Sequence, residues 1–294
     1  MACAVLVGLA AQQVAGQPLP SGPPPEDSLT PVVLPPVAPT VFRGDVRNLP
    51  RPKVIPASKR LELQQPNASL DNATGPDAAV QSSAPLANAP GPSLTFPGLD
   101  HDSWGDGWPP DTNGDVGPLH YIQTVNTSVG IFRKSDGAML AAFTFNTLFS
   151  SAATGTPCDN SNQGDPVVVY DGQADRWIIS DFAWSNFTSG AMYQCFAVSV
   201  TGNPVSGGWY FYAVQTDPGG HIPDYPKIGV WPDGIYMSAN VYATTGSQGF
   251  LNVRVWAFKR TDLESGHPLH AVSFNLPAKI REVVVNPREA VVVQ

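Results

Sequence analysis

The sequence predicts an all-β protein of repeated four-stranded antiparallel blades, β-propeller-like and incomplete at about three to four blades, behind a disordered proline-rich arm. Three observations carry this. First, DPVVVYDGQADRWIISDFA from Asp165 and DYPKIGVWPDGIYMSANVY from Asp224 match each other. Each opens with Asp and Pro, runs through an apolar strand, turns at an Asp/Gly segment and returns as a second apolar strand. Second, every carboxylate from Asp100 to Asp262 is Asp, the next Glu being Glu264. Asp closes turns through its short side chain, whereas Glu favours helices. Third, 20 of the 31 prolines fall between Pro18 and Pro110, while all seven Trp and all eight Tyr lie at Trp104 or later. Residues 17–95 therefore lack the aromatic groups a core needs.

The elements follow in order. Residues 1–16 read as an export signal missing part of its front: AVLVGLAA is a short apolar run and VAG offers small residues for cleavage, but no basic residue precedes it. The run is too short to span a bilayer, and no other segment is long and apolar enough. Residues 17–95 form the arm, with six of the 16 basic residues between Arg43 and Arg60. The folded part, 96–276, opens on an irregular loop pinned by Trp104 and Trp108. HYIQTVN and SVGIFRK pair near Thr127, and Asp136-Gly137 turns the chain into MLAAFTF. A long loop carries Cys158. PVVVYD, RWIISDFA, YQCFAVSV and GWYFYAVQ make one four-strand unit. KIGVWP, GIYMSANV and LNVRVWAFKR begin another, and HAVSFNLPA offers a further strand. Residues 277–294 are an irregular or truncated tail.

Strands such as VVVYD and IGVW are apolar on both faces, as stacked sheets require. Trp177, Trp209, Trp231 and Trp256 are expected to pack between sheets. Of the three cysteines, Cys3 lies within the leader, which leaves Cys158 and Cys195 as either a disulfide or two buried thiols. A bridge would contribute about 3–4 kcal/mol by the loop-entropy model.

Charged residues are only 14% of the chain and the net charge is −8, a poor basis for holding a phosphate backbone, so nucleic acid is excluded as a partner. No nucleophile elbow, zinc-protease, P-loop or dinucleotide signature occurs. Asp111, Asn113 and Asp115 in DTNGDVG place oxygen ligands at alternate positions, the pattern of a Ca²⁺ loop or of a metal-free Asx turn. Val116 and Ile122 replace the Gly and Glu of an EF-hand. Asp165 and Asp224, with Asp115 as a third copy, start equivalent strands. They either meet as a general acid and base for a glycosidic bond, or cap turns and bond neighbouring backbone. His221, Tyr225 and Lys227 sit at the same expected end and can line a binding mouth. Sequons at Asn67, Asn72, Asn126 and Asn186 allow glycosylation in a host that performs it.

PPDTNGDVGPLHYIQTVNTSVGIF, NTLFS, GDPVVVYDGQADRWIISDFA, CFAVSVTGNPVSGGWYFYA and PDYPKIGVWPDGIYMSANVY, taken in order over about residues 94–262, resemble a family of exported, largely uncharacterised bacterial proteins. The resemblance implies an extracellular β-propeller joined to adhesion or sorting modules, no established reaction, and a bridge between Cys158 and Cys195. DPVVVYD followed by RWIIS is also distantly similar to blades of sialidases and five-bladed glycosidases, without the sialidase Ser-x-Asp-x-Gly box. Two functions follow as expectations. One is a secreted binding, adhesion or cell-surface module whose partner is a surface glycan or protein. The other is a carbohydrate-active hydrolase using Asp165, Asp224 and Asp115.

Overall fold

The computed structural model describes residues 30–51, 91–106, 109–246 and 249–276. The expected leader 1–16, most of the arm and the tail 277–294 lie outside the described residues, as do Trp108, Asn67 and Asn72. Two short strands come first, β1 (Val32–Val33) and β2 (Thr40–Phe42), followed by the one-turn helix α1 (His101–Trp104).

Three antiparallel sheets follow, each a four-strand meander in sequence order. Sheet one holds β3 (Asn113–Val116), β4 (His120–Val125), β5 (Ser128–Arg133) and β6 (Met139–Thr144). The helix α2 (Phe145–Phe149) leads out of it, N-capped by the Thr144 hydroxyl. Sheet two holds β7 (Asn162–Asp171), β8 (Arg176–Ala183), β9 (Met192–Ser199) and β10 (Trp209–Asp217). Sheet three holds β11 (His221–Val230), β12 (Gly234–Ala243), β13 (Phe250–Lys259), the helix α3 (Arg260–Ser265) and β14 (Ala271–Leu276).

The turns form where the sequence places them. Gly137 supplies the left-handed φ of 72° between β5 and β6. Asp171 accepts hydrogen bonds from the Gln173 and Ala174 N–H groups, closing the β7–β8 turn.

Strand β8 shows why these sequences are apolar on both faces. Successive side chains point to opposite sides. Trp177 and Ile179 pack with sheet one and with Trp209, whereas Ile178 packs with sheet three against Trp256 and Phe258. Sheet two is thus a central layer with no wet face. Trp177, Trp209 and Trp256 are buried as expected, but Trp231 is 45% exposed at the β11–β12 turn. The chain turns back there, so no neighbouring layer covers it.

The disulfide between Cys158 and Cys195 is formed, with Cα atoms 5.6 Å apart, and it fastens the α2–β7 connection to β9. Part of the segment read as one arm departs from that reading. Residues 40–42 pair with β10 and residues 32–33 pair with β14, adding a fifth strand to the outer edges of sheets two and three. These additions cover edges that would otherwise offer free N–H and C=O groups.

Candidate functional site: an acidic mouth where the first strands meet

The first strand of each sheet lies nearest the first strand of the next, with β7 between β3 and β11. Both β7 and β11 carry a β-bulge near their start. In β7, Asp165 and Pro166 lie opposite the single residue Asp181. In β11, Tyr225 and Pro226 lie opposite Ala239. Proline is tolerated at a bulge because no ladder N–H is needed there. Pro166 and Pro226 are therefore the matching positions, and Asp165 matches Tyr225, not Asp224. The sequence match on the leading Asp is out of register by one residue. Asp165 has φ 49° and Tyr225 φ 56°. A bulky residue in the left-handed region is an outlier of the kind that collects at functional sites.

The bulges bring three carboxyl groups together from different elements. Asp111 precedes β3, Asp165 is in the β7 bulge and Asp224 stands just before the β11 bulge. All three are half-buried. The Asp165 Oδ2 accepts from Tyr225 N–H at 3.0 Å, which ties the β7 bulge to the β11 bulge. Burial, then repulsion from Asp224 and Asp111, pushes Asp165 up to about 8. Burial also raises Asp111 and Asp224 above the usual carboxylate range. The rim is exposed: Tyr225 is 54% accessible, and the Lys227 Nζ stands 3.3 Å from its ring centroid. Burial lowers the Lys227 ammonium, opposed by attraction to the same three carboxyls.

Beneath them lie polar groups that the sequence reading did not single out. Asn126 donates from Nδ2 to Asp111 Oδ2 at 3.1 Å and to Pro109 O at 3.2 Å. Asp181 is fully buried and its Oδ1 accepts from Gly164 N–H at 3.3 Å. Burial holds Asp181 well above the ordinary range. Asn126 Oδ1, Asp181 Oδ2 and both side-chain atoms of Asn162 have no hydrogen-bond partner. The available signal for Asp181 is a lone carboxylate inside the apolar strand RWIISDFA.

Other expected site residues are placed elsewhere or hold other partners. Asn113 and Asp115 do not lie in a loop with Asp111; they are in β3, facing β7. Asn113 Oδ1 accepts from Val168 N–H at 2.8 Å and Asp115 Oδ2 from Tyr170 N–H at 2.7 Å. A strand puts residues two apart on one face, so this pair stitches sheet one to sheet two. Asp165, accepting from Tyr225, repeats the stitch between sheets two and three. Asp115 is therefore outside the carboxyl cluster. His221 is held by Asp217, with Nδ1 3.3 Å from Oδ2, and Arg254 binds the same oxygen at 3.2 Å. Among the described residues, no group of three His, Cys, Asp or Glu side chains is arranged to hold a metal ion.

No family model matches the chain, and no curated protein matches it significantly. What the mouth can do therefore follows from its chemistry. It combines an excess of acceptors, an acid held protonated near neutrality and an exposed aromatic ring. Perturbed carboxyls from separate elements beside an exposed ring make this junction a candidate functional site. No helix among the described residues is long and apolar enough to cross a membrane.

Proposed function

We propose that this chain is an exported, β-propeller-like binding module of the cell surface, and that its ligand sits at the mouth formed by Asp111, Asp165, Asp224, Tyr225 and Lys227. The apolar leader and the resemblance to exported bacterial proteins support the location. Three meanders stacked with their first strands side by side support the propeller-like architecture. The observation that carries a ligand-binding reading is the presence of three half-buried carboxyl groups from separate elements beside the exposed Tyr225 ring.

The binding reading is tested by retention of the purified chain on immobilised surface glycans and surface proteins. The expected result is retention that Asp111→Asn with Asp224→Asn abolishes. One observation favours a second reading, a carbohydrate-active hydrolase: Asp165, with its carboxyl pushed up to about 8, is suited to act as a general acid. Release of a chromophore from aryl glycosides, lost in Asp165→Asn, would establish that reading.

A further inference from the structure

We propose that residues 279–293 fold back as a β-hairpin over the outward face of sheet three and close that end of the molecule. This closure is separate from ligand binding at the mouth.

The opposite end of the stack shows how such a face is closed. In sheet one, Tyr121, Gln123 and Val125 on β4 pair with Phe132, Gly130 and Ser128 on β5. Paired residues share a face, and Ile122, Val129 and Ile131 take the side toward sheet two, so these six point away from it. The chain just before the sheet runs across them. Phe96 packs on Tyr121 and Phe132, with ring centroids 6.0 and 5.4 Å apart. Leu99 N–H donates to Gln123 Oε1 at 2.7 Å, and Gln123 Nε2 donates back to Leu99 O at 3.2 Å. Ser128 Oγ donates to Trp104 O at 2.5 Å. A short irregular segment, 96–104, therefore covers the whole face.

Sheet three presents the counterpart. Ile235, Met237, Trp256 and Phe258 turn toward sheet two. The alternate positions point the other way, in two cross-strand rows: Tyr236, Ala257, Val272 and Val33, then Ser238, Val255 and Phe274. None of these seven belongs to a buried apolar cluster among the described residues. Tyr236 is 36% exposed and Val33 74% exposed, and a groove of about 290 Å³ runs over Val33, Tyr236, Ala257 and Val272. Six of the seven side chains are apolar or aromatic, and a contiguous patch of that kind marks a surface made to be covered.

Connectivity and sequence name the occupant. Twice the chain leaves the last strand of a sheet and lays the next layer on that sheet's free face: β6 leads to sheet two and β10 to sheet three. Strand β14 ends at Leu276, on the edge of the open face, and Pro277, which has no N–H, follows. Beyond it, AKIREVVVNPREAVVVQ holds two β-branched runs, 283–285 and 291–293, around Asn286-Pro287, a pair that starts turns. Residues 278–285, when extended, span about 26 Å, longer than six-residue β14, so they reach back from Leu276 past Val272 and the groove. The sequence alone predicts an irregular or truncated tail because these runs have no visible partner; the apolar face supplies one. A tethered segment also outcompetes a second copy through its high local concentration. A second copy can offer only this same face, since segment 96–104 closes the opposite end.

Hydrogen exchange of the full chain, read by mass spectrometry, tests this. Peptides covering residues 280–285 and 290–293 should exchange about tenfold or more below the rate of unstructured chain. Phe274→Asp, which sets a charge on the face, should return them to that rate while peptides of β8 and β9 stay protected. Where that variant does not fold, Tyr236→Ala, at a position exposed on the surface, should speed exchange of the same peptides about threefold. Exchange of the wild-type tail at the unstructured rate, or tail protection that the folded variants leave unchanged, would overturn the proposal. Protection that grows with protein concentration, alongside a dimer by light scattering, would also overturn it by assigning the face to a second copy.

Discussion

Asp165 concentrates the chemistry of the molecule in one side chain. It holds a left-handed φ of 49°, accepts from Tyr225 N–H and feels repulsion from the Asp224 and Asp111 carboxyls. Its folded-state pKa, about 8, lies far above the ordinary value of 3.8. The folded chain therefore holds a proton that the unfolded chain releases. Stability from this proton is full below about pH 4 and is lost as pH rises through about 8. Asparagine resembles the protonated acid, tolerates the left-handed region and can still accept from Tyr225. Asp165→Asn should leave the melting temperature nearly unchanged at pH 5 and raise it above wild type at pH 8.5. Parallel melting curves at the two pH values would contradict the assignment. Asp165 and Asp224 were legible in the sequence because each opens an apolar strand. Asp181 and Asn126 were not, since a single polar residue inside a strand gives no sign of what faces it across a sheet.

At the scale of elements, two fastenings carry testable weight. The Cys158–Cys195 bridge spans 37 residues and joins a connection with little regular structure to the centre of sheet two. Replacing both cysteines with alanine should cost about 3–4 kcal/mol by the loop-entropy model, measured by denaturant titration. A loss below about 1 kcal/mol would show that α2 and the connection are held by packing alone. Arg260 at the start of α3 fastens sheet three to sheet two. Its Nη2 reaches Asp171 Oδ1 at 2.9 Å, and its Nε reaches Asp171 Oδ2 at 2.6 Å and Glu264 Oε1 at 2.8 Å. Asp171 is 1% exposed, so Arg260→Met strands a buried carboxylate and should cost about 3–5 kcal/mol. The strands β4 to β14 were readable because apolar runs ended at Asp/Gly turns. The register of β7 against β11 was not, because a bulge adds a residue without changing the apolar pattern. Strands β1 and β2 were hidden for another reason: two or three residues between prolines make an edge strand only where β14 and β10 offer an open edge.

For the molecule as a whole, burial has a collective consequence. It raises Asp111, Asp165, Asp181 and Asp224, and with the help of Asp171 it lifts Glu264 to about 7. Each adds stability that fades as pH rises above the ordinary carboxylate range, through about 7 for Glu264 and about 8 for Asp165. Other carboxylates act in the opposite sense. The Ser103 N–H lowers Asp100, and the Arg133 guanidinium lowers Asp136, so their contribution is lost as pH falls below the ordinary range. The melting temperature should peak near pH 4–5 and decline toward pH 8, and a maximum above pH 7 would contradict the raised carboxyls. The all-β class was legible because composition and turn residues agree over most of the folded part. The site was half legible: the sequence named Asp111, Asp165, Asp224, Tyr225 and Lys227, but only stacking of the three sheets separates them from Asn113, Asp115 and His221. The most direct test of a ligand mouth at this junction is retention of the chain on immobilised surface glycans and proteins, wild type beside the Asp111→Asn, Asp224→Asn double variant. Retention of wild type and loss in the folded variant is the predicted result; equal retention of both would place the binding surface elsewhere.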